Sequence, residues 1–311
     1  MKVTVIGYCP TSGIYSYGSV STWAKNAWEQ LGHEVVMYDR SEIKNLPKKS
    51  DLYFFVDVSE DYSTSMPDDL EGVKVFWAMD TAMPGGMERS VNIGRKVDYV
   101  FCTNAETNGP KAFEKFGIEA MWVPYGYDHK LRDLVKEAKR WNVNIATGQG
   151  SQHYRYDVCM IGNPNSEQRK ELWNLLKDKY GDRAVTGTID NVEEYIEKKA
   201  GSKIMISQPT EPFNTIINLR VFNALSCGKF LLCKRPIIKE HELLGLKDGV
   251  NVVYWDNFDD LLEKIDYYLE HGEEREKIAE EGAKLGCKYL MPDQIRIIEQ
   301  IIYSKFYERL C

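Results

Sequence analysis

The sequence predicts two α/β domains, each built around a parallel β-sheet with helices on both faces. The chain has 311 residues, about twice the usual size of one domain. Short apolar runs alternate along it with helical patterns, and these runs are unbroken, as is typical of parallel strands buried on both faces. The whole pattern begins again near residue 156, after a polar helix and a weakly patterned linker. A repeated doubly wound fold is therefore expected.

The first half contains six predicted strands. The first, at residues 2–7, is interpreted as a strand and not as a signal peptide, because no small-residue cleavage site follows it. Residues 19–31 predict a helix, since their apolar side chains recur at helical spacing and Gly32 follows. The other predicted strands are 34–38, 52–56, 73–78, 97–103 and 119–123, with a helix at 109–116. We expect residues 1–150 to form this domain.

The second half repeats this order of strands and helices. After a helix at 128–141 and a linker at 142–156, strands are predicted at 156–162, 184–187, 203–207, 230–233 and 250–255. Helices are predicted at 167–180, 192–200, 219–226, 258–270 and 273–285. We expect residues 151–290 to form the second domain. Residues 291–311 carry an apolar stripe at helical spacing, and we expect them to form a helix that crosses back to the first domain.

Charge and composition exclude several classes of protein. Lys and Arg total 40 and Asp and Glu total 47, and the net charge of −7 disfavours a broad basic surface for nucleic acid. The seven cysteines include no C-x-x-C pair and the five histidines have no metal-ligand spacing, so no metal site is expected. No run approaches the ~18 apolar residues that span a bilayer. We expect a cytoplasmic protein.

The segment 215–228, TIINLRVFNALSCG, contains the strongest functional signal. Its apolar residues predict a core helix, but packing does not explain Asn218, Arg220 and Asn223. The free N–H groups and the dipole at a helix start favour an anion such as a pyrophosphate. Arg220 adds a charge-assisted contact to such an anion, and Asn223 follows one turn later, where its amide can reach a ribose hydroxyl.

The loop after the first strand is a second candidate site. Ser12, Gly13 and Gly18 let the backbone approach a diphosphate or an acceptor, and Tyr17 offers an aromatic face for stacking. A flexible loop without a ligand is the alternative interpretation. The glycine spacing is not the G-x-G-x-x-G fingerprint, which disfavours a nicotinamide cofactor.

Asp80 is the candidate general base. It comes just after a buried strand, where a carboxylate can take a proton from a substrate hydroxyl. The alternative interpretation is an aspartate that caps the next turn. Asp57 follows the neighbouring predicted strand and is a weaker candidate at the same sheet edge.

Residues 157–290 resemble the CgeB-like, group-1-type glycosyltransferases. The resemblance depends on the segment DVCMIG at 157–162 with Arg169 after it, on NLRVFNALSCGKFLL at 218–232, and on the tail at 250–282. The N-terminal half matches only loosely. The resemblance implies a GT-B fold, in which two Rossmann-like domains face a central cleft. It also implies direct, metal-independent transfer from a nucleotide-diphosphate sugar without a cofactor, and the sequence has no D-x-D metal motif.

The resemblance also implies a set of donor-binding residues. Asn218 and Arg220 face the diphosphate, the residues near 162 line the loop beneath it, and those near 187 lie close to the base. The implied set is Gly162, Asn163, Arg169, Gly187, Thr188, Thr215, Asn218, Arg220 and Asn223. Asn223 stands where the family usually has a ribose-binding Glu, and Thr215 stands where an E-x7-E motif would begin.

The resemblance implies a glycosyltransferase that uses a nucleotide sugar, with a UDP-sugar as the expected donor, and no membrane-spanning segment is expected. The acceptor is left open among a polysaccharide, a small molecule, a protein and a modified DNA base, and the net charge does not favour DNA. Because of the two departures from the family pattern, the donor nucleotide and the stereochemical outcome are also open. The alternatives are a sugar-nucleotide epimerase of the same fold and a non-catalytic nucleotide-sugar-binding protein.

Overall fold

The computed structural model describes residues 1–9, 19–57, 59–106, 108–144, 154–163, 166–209, 218–237 and 239–308. Its contacts divide the chain into two compact units. Unit 1 comprises Met1–Asp128 and Leu290–Cys311, and unit 2 comprises His129–Tyr289. This division differs from the predicted boundary at residue 150, because the helix at 129–144 packs on the helix at 192–200 in unit 2.

The described strands and helices follow each other in the predicted alternation. The strands are β1 Lys2–Gly7, β2 Glu34–Asp39, β3 Lys49–Val56, β4 Glu71–Ala78, β5 Tyr99–Cys102, β6 Ala120–Trp122, β7 Tyr156–Ile161, β8 Ala184–Gly187, β9 Ser202–Ser207, β10 Phe230–Lys234 and β11 Val253–Trp255. The helices are α1 Val20–Gln30, α2 Gly86–Gly94, α3 Pro110–Glu114, α4 His129–Asn144, α5 Glu167–Tyr180, α6 Val192–Ala200, α7 Leu219–Ser226, α8 Glu240–Leu243, α9 Phe258–Glu270, α10 Gly272–Gly286 and α11 Met291–Glu308. Short 3-10 segments lie at Arg40–Asn45, Ser63–Ser65 and Gly181–Arg183.

Each unit is a parallel, doubly wound sheet, which confirms the predicted fold class. In unit 1 the strand order is β2-β1-β3-β4-β5-β6, and in unit 2 it is β11-β10-β9-β7-β8. All the paired strands run parallel. The order reverses between β1 and β3 and between β7 and β9. Ligands of doubly wound sheets bind at the carboxyl ends of the strands that flank such a reversal.

Helix α1 illustrates how the sequence sets the local structure of unit 1. Ser19 caps it, because the Ser19 side chain accepts a hydrogen bond from the Thr22 N–H at 3.1 Å. Its buried face includes Trp23, Ala27 and Trp28, at the spacing that one side of a helix requires. Gly7 ends β1 beside this helix, where a Cβ would lie only 2.1 Å from Ser21 Oγ. The glycine therefore permits the close approach of β1 and α1.

The last helix, α11, belongs to unit 1. The Met291 N–H donates to the Tyr127 carbonyl at 2.9 Å, and α11 packs on α1. Gly126 allows this contact, since a Cβ there would lie 2.8 Å from the Met291 backbone. In the part of the chain that the structure describes, no helix combines the length and the apolar character that crossing a bilayer requires.

Asp157 on β7 contacts β9 and the 3-10 segment that precedes β8, at the amino end of the unit 2 sheet. Its carboxylate accepts two hydrogen bonds of 2.5 Å from Arg183 and one of 2.9 Å from Lys203. Burial alone would raise its pKa, but these hydrogen bonds hold the pKa of the Asp157 carboxyl below its ordinary value.

We expect Asp157→Asn to lower the free energy of unfolding of unit 2 by about 1–2 kcal/mol near neutral pH. This is the lower part of the range for hydrogen bonds to charged groups, because Arg183 is half exposed. A lowered pKa means that the carboxylate stabilises the fold above the ordinary aspartate pKa, and that this contribution disappears as the pH falls through the lowered value. Denaturant unfolding at several pH values measures this contribution. If the free energy of unfolding of Asp157→Asn falls with acid as steeply as that of the wild type, the prediction is wrong.

Candidate functional site

The carboxyl ends of β7, β8 and β9 bring most of the predicted donor-binding residues together in unit 2. Gly162 follows β7, Gly187 ends β8, and Arg169 lies in the first turn of α5. Helix α7 begins nearby with Asn218, which accepts a 3.2 Å hydrogen bond from Ser207 at the end of β9. These residues lie where the strand order reverses, which is the expected position for a ligand.

Arg220 is the central cation of this edge. Its Nε donates to the Ile161 carbonyl at 3.1 Å, which fixes the guanidinium at the end of β7. Among the described residues, no carboxylate pairs with Arg220, and its terminal nitrogens Nη1 and Nη2 have no hydrogen-bond partner. Burial lowers the pKa of the Arg220 guanidinium. Within the described part of the chain nothing compensates this fixed positive charge, which favours the binding of an anion.

Arg169 supplies a second guanidinium at the same edge. It is 2% exposed, and its terminal nitrogens donate to the Asn163 carbonyl at 2.7 Å and to the Gln208 carbonyl at 3.0 Å. Burial and then the charge of Arg220 lower the pKa of Arg169 to about 10. Because the charge of Arg220 acts on Arg169, two positive charges influence this edge of the sheet, and such an edge favours a ligand with more than one negative charge.

Gly162, Gly187 and Thr188 form a small hydrogen-bonded group beside Arg220. The Gly162 N–H donates to the Gly187 carbonyl at 3.0 Å, and the Thr188 hydroxyl donates to the Gly162 carbonyl at 3.1 Å. A Cβ on Gly162 would lie 2.1 Å from Nη2 of Arg220. Glycine at this position is therefore what allows the guanidinium to lie against the backbone.

We expect Gly162→Ala to displace the Arg220 guanidinium and to weaken binding of an anionic ligand by about tenfold, the effect of losing one good polar contact. The φ of +157° at Gly162 also disfavours a side chain, so thermal stability should fall as well. Gly249→Ala is the matched control, because Gly249 has a φ of +70° but open space around it. Equal affinities in the two variants would contradict the displacement.

Two of the three predicted asparagines, Asn218 and Asn223, have side-chain partners within unit 2. Asn218 caps α7, since its side-chain oxygen accepts from the Arg220 N–H at 2.9 Å. The Asn223 amide donates to the Tyr195 hydroxyl at 3.0 Å, and Lys199 donates to the same hydroxyl. Sequence reasoning missed Tyr195 and Lys199, although their spacing of four residues places both on one face of α6.

Asp80 and Asp57 lie together at the carboxyl edge of the unit 1 sheet. The Asp57 side chain is fully buried, and it accepts hydrogen bonds from the backbone N–H groups of Met79 at 3.1 Å and Asp80 at 3.0 Å. It also accepts from the Ser59 N–H at 2.9 Å, and Arg89 lies 3.3 Å away. With these partners, Asp57 holds the two loops in place and is not positioned to take a proton from a substrate.

The Asp80 carboxylate accepts a hydrogen bond from the Ser59 hydroxyl. Burial and then the negative charge of Asp57 raise the pKa of the Asp80 carboxyl. Ser59 itself has a φ of +61°, which is uncommon for a residue other than glycine. A half-buried carboxylate with a raised pKa at a sheet edge has the properties of a general base.

Several predicted site residues lie outside the described part of the chain. These are Thr215 in the donor set and Ser12, Gly13, Tyr17 and Gly18 in the loop after β1. Among the residues that are described, no group of three or more His, Cys, Asp and Glu side chains is arranged to hold a metal ion.

Comparison with known proteins gives one family and several solved structures of the same fold. The model of a family described as glycosyl transferase-like matches residues 132–289, which is just over half of the chain. No curated protein matches the sequence significantly.

The solved structures that match are distant in sequence. Anabaena HepE in complex with UDP has a TM-score of 0.62 at 12% identity, covering 98% of this chain and 100% of that one. An alpha-glucosyltransferase in complex with UDP and a 13-mer DNA containing an HMU base has a TM-score of 0.60 at 9% identity, covering 93% and 96%. Sucrose-phosphate synthase of Thermosynechococcus elongatus has a TM-score of 0.59 at 12% identity, covering 98% and 100%.

Proposed function

The chain belongs to the glycosyl transferase-like family, and from this premise we propose that unit 2 binds the diphosphate of a UDP-sugar and that the protein transfers the sugar to an acceptor hydroxyl. The observation that supports this most strongly is the environment of the Arg220 guanidinium. Its guanidinium is fixed by the Ile161 carbonyl, lies where the strand order reverses, and has no carboxylate partner among the described residues. A diphosphate supplies the missing negative charge.

The two guanidinium groups are proposed to act in place of a metal ion. As the bond between the sugar and the diphosphate breaks, negative charge develops on the leaving phosphate oxygen. Arg220 and Arg169 lie at the edge where that charge would form, and fixed cations stabilise it without reorganisation of solvent. Arg169 is held by the carbonyls of Asn163 and Gln208, so it is oriented before the donor binds.

We propose UDP as the nucleotide because two of the neighbours named above were solved with it. In this proposal Thr188 and Gly187, at the end of β8, lie near the base, and the Asn223 amide lies near the ribose. Since the Asn223 Nδ2 donates to Tyr195, it is the Asn223 side-chain oxygen that would accept from a ribose hydroxyl.

Unit 1 is proposed to supply the base. The acceptor hydroxyl gives its proton to the Asp80 carboxylate, its oxygen bonds to the anomeric carbon, and the bond from that carbon to the diphosphate breaks. The raised pKa of Asp80 makes its carboxylate a better proton acceptor than an ordinary aspartate. A net charge of −7 opposes a polyanionic acceptor, so we propose an acceptor other than DNA.

A thermal-shift screen with UDP, GDP, ADP, TDP and their common sugars tests this proposal. A ligand at 100 times its Kd adds about 2.7 kcal/mol of stability, which is readily visible. The proposal predicts a shift with UDP and UDP-sugars that is lost in Arg169→Ala. A chain that responds to none of the nucleotides is not a nucleotide-sugar transferase. A response to UDP-sugars with no transfer to any offered acceptor would favour the binding-protein alternative.

A further inference from the structure

The loop that follows β3 meets the loop that follows β4 at the carboxyl edge of the unit 1 sheet. These two strands pair in parallel, so both loops begin at the same edge. The buried Asp57 carboxylate joins the loops. It accepts hydrogen bonds from the N–H groups of Met79 and Asp80 in the loop after β4, and from the Ser59 N–H in its own loop. Ser59 is thereby held beside the Asp80 side chain.

The backbone of Ser59 has a conformation that favours glycine. Its φ of +61° lies in the left-handed region, where other residues persist only when the surrounding structure imposes the conformation. Here the hydrogen bond from the Ser59 N–H to the Asp57 carboxylate helps to impose it, as in an Asx turn. A glycine would adopt this φ without strain, but it would lack the hydroxyl. That hydroxyl donates to Oδ2 of Asp80.

A carboxylate, a hydroxyl and a guanidinium act on the Asp80 carboxyl. Asp57 comes from the end of β3, Ser59 from the loop after it, and Arg89 from α2. The Arg89 guanidinium lies 3.3 Å from Asp57 and compensates the charge of that buried carboxylate. Burial and then the charge of Asp57 raise the pKa of the Asp80 carboxyl, whereas the Ser59 hydrogen bond and the charge of Arg89 lower it. Within the described ranges, Ser59 is the residue whose hydrogen bond stabilises the ionised form of Asp80.

The two carboxylate oxygens of Asp80 have different surroundings. Oδ2 accepts from the Ser59 hydroxyl, and no described residue donates to Oδ1. Because one oxygen is held by a donor, the carboxylate group keeps its orientation and Oδ1 keeps a fixed direction. A general base acts through an oxygen that lies within hydrogen-bond reach of the substrate proton, and a fixed orientation contributes to its rate enhancement. The arrangement leaves Oδ1 available for that proton.

We propose that Ser59 is the positioning residue of Asp80, holding Oδ2 so that Oδ1 takes the proton of the acceptor hydroxyl. This inference rests on the proposed function, because it requires Asp80 to be the base. In the transfer step the acceptor O–H bond breaks and its proton goes to Oδ1. The acceptor oxygen bonds to the anomeric carbon, and the bond from that carbon to the diphosphate breaks. Ser59 keeps its own proton throughout and donates it to Oδ2.

The experiment compares the wild type with Ser59→Gly, Ser59→Ala and the matched control Ser41→Ala. Ser41 follows β2 at the same edge of the sheet, and its hydroxyl donates to the Asp39 carboxylate at 2.7 Å. The first measurement is the release of UDP from UDP-glucose with water as the acceptor, which gives kcat and KM as functions of pH. The second is a ¹³C NMR titration of the aspartate carboxyl carbons without substrate, in which the Asp80 signal is identified by its absence in Asp80→Asn.

We expect kcat at its pH plateau to fall by about tenfold in both Ser59 variants, the effect of losing one good polar contact, while the KM for UDP-glucose is unchanged. The pKa of the Asp80 carboxyl should rise, because a hydrogen bond to its ionised form is lost, and the acid limb of kcat should move to higher pH with it. Ser41→Ala should change none of these values. Ser59→Gly should keep the thermal stability of the wild type, since glycine adopts the required φ, so unfolding does not account for its loss of activity.

The two measurements separate failure of this inference from failure of the proposed function. If the Asp80 titration is the same in the wild type and both Ser59 variants, the inference is wrong, and this readout requires no turnover. The inference is also wrong if both Ser59 variants keep the kcat and the acid limb of the wild type while Asp80→Asn loses activity, a result that leaves Asp80 standing as the base. Full activity of Asp80→Asn would instead remove the base itself, and with it the positioning role of Ser59, even if the titration confirms the hydrogen bond.

Discussion

Replacing Arg220 by alanine is expected to weaken UDP binding by at least about 30-fold. The side chain is held by the Ile161 carbonyl, and no described carboxylate competes for it, so its full charge is available to a diphosphate. Truncating one partner of a buried, hydrogen-bonded charge pair costs roughly 2 kcal/mol or more, and about 1.4 kcal/mol corresponds to tenfold in affinity. Isothermal titration calorimetry with UDP measures the effect directly.

The control for this prediction is Arg155→Ala. Arg155 precedes β7 at the opposite edge of the same sheet, is 66% exposed, and pairs with Glu197 on the surface. Its removal should leave the affinity for UDP unchanged. Because burial lowers the pKa of Arg220, the unliganded alanine variant should be no less stable than the wild type. An Arg220→Ala variant that binds UDP normally would remove the basis of the donor site.

Replacing Asp80 by asparagine is expected to reduce kcat by about 10²- to 10⁴-fold, the usual contribution of a general base. The KM for the donor should remain unchanged, because the donor-binding residues lie in unit 2 and Asp80 lies in unit 1. Steady-state kinetics with a UDP-sugar and an acceptor that the wild type uses measure kcat and the donor KM separately. Asp61→Asn is a suitable control, since Asp61 is a nearby carboxylate that accepts hydrogen bonds from Ser63 and Asn92.

The pH dependence of the wild type follows from the raised pKa of Asp80. The base must be ionised, so kcat should fall as the pH drops through that raised value, and the residual rate of Asp80→Asn should lack this dependence. A raised carboxyl pKa also favours the fold at low pH, and that contribution is lost as the pH rises through the raised value. Asp80→Asn should therefore be at least as stable as the wild type at neutral pH. A variant that unfolds at neutral pH, or that keeps full activity, contradicts the role of Asp80 as the base.

Much of the fold was predictable because both sheets are parallel and buried. Such strands are unbroken apolar runs, and the helices between them have clear ends, so the predicted bounds of β1, β8, α5, α6, α7 and α9 agree with the structure. The division between the units was harder to predict. Helix α4 is polar and could pack on either unit, and only its contacts with α6 place it in unit 2.

The proposed donor-binding residues at the carboxyl edge of the unit 2 sheet were also partly predictable from the local sequence. Arg220 and Asn218 stand out as polar residues in an apolar helix, and Gly162 and Gly187 follow predicted strands. The roles of Tyr195 and Lys199 depend on how α6 packs against α7, which local sequence does not determine. Asp57 and Asp80 look alike in sequence, since each follows a strand. Only the hydrogen bonds show that Asp57 is fully used in holding the loops and that Asp80 is not.

A structure of the protein with bound UDP tests the central claim most directly. The account predicts that the diphosphate lies at the carboxyl ends of β7 and β9, with a phosphate oxygen within about 3 Å of the terminal nitrogens of Arg220. Among the side-chain amide oxygens of α7, that of Asn223 should then lie closest to the ribose. A diphosphate bound at any other edge of unit 2, or in unit 1, would contradict the account.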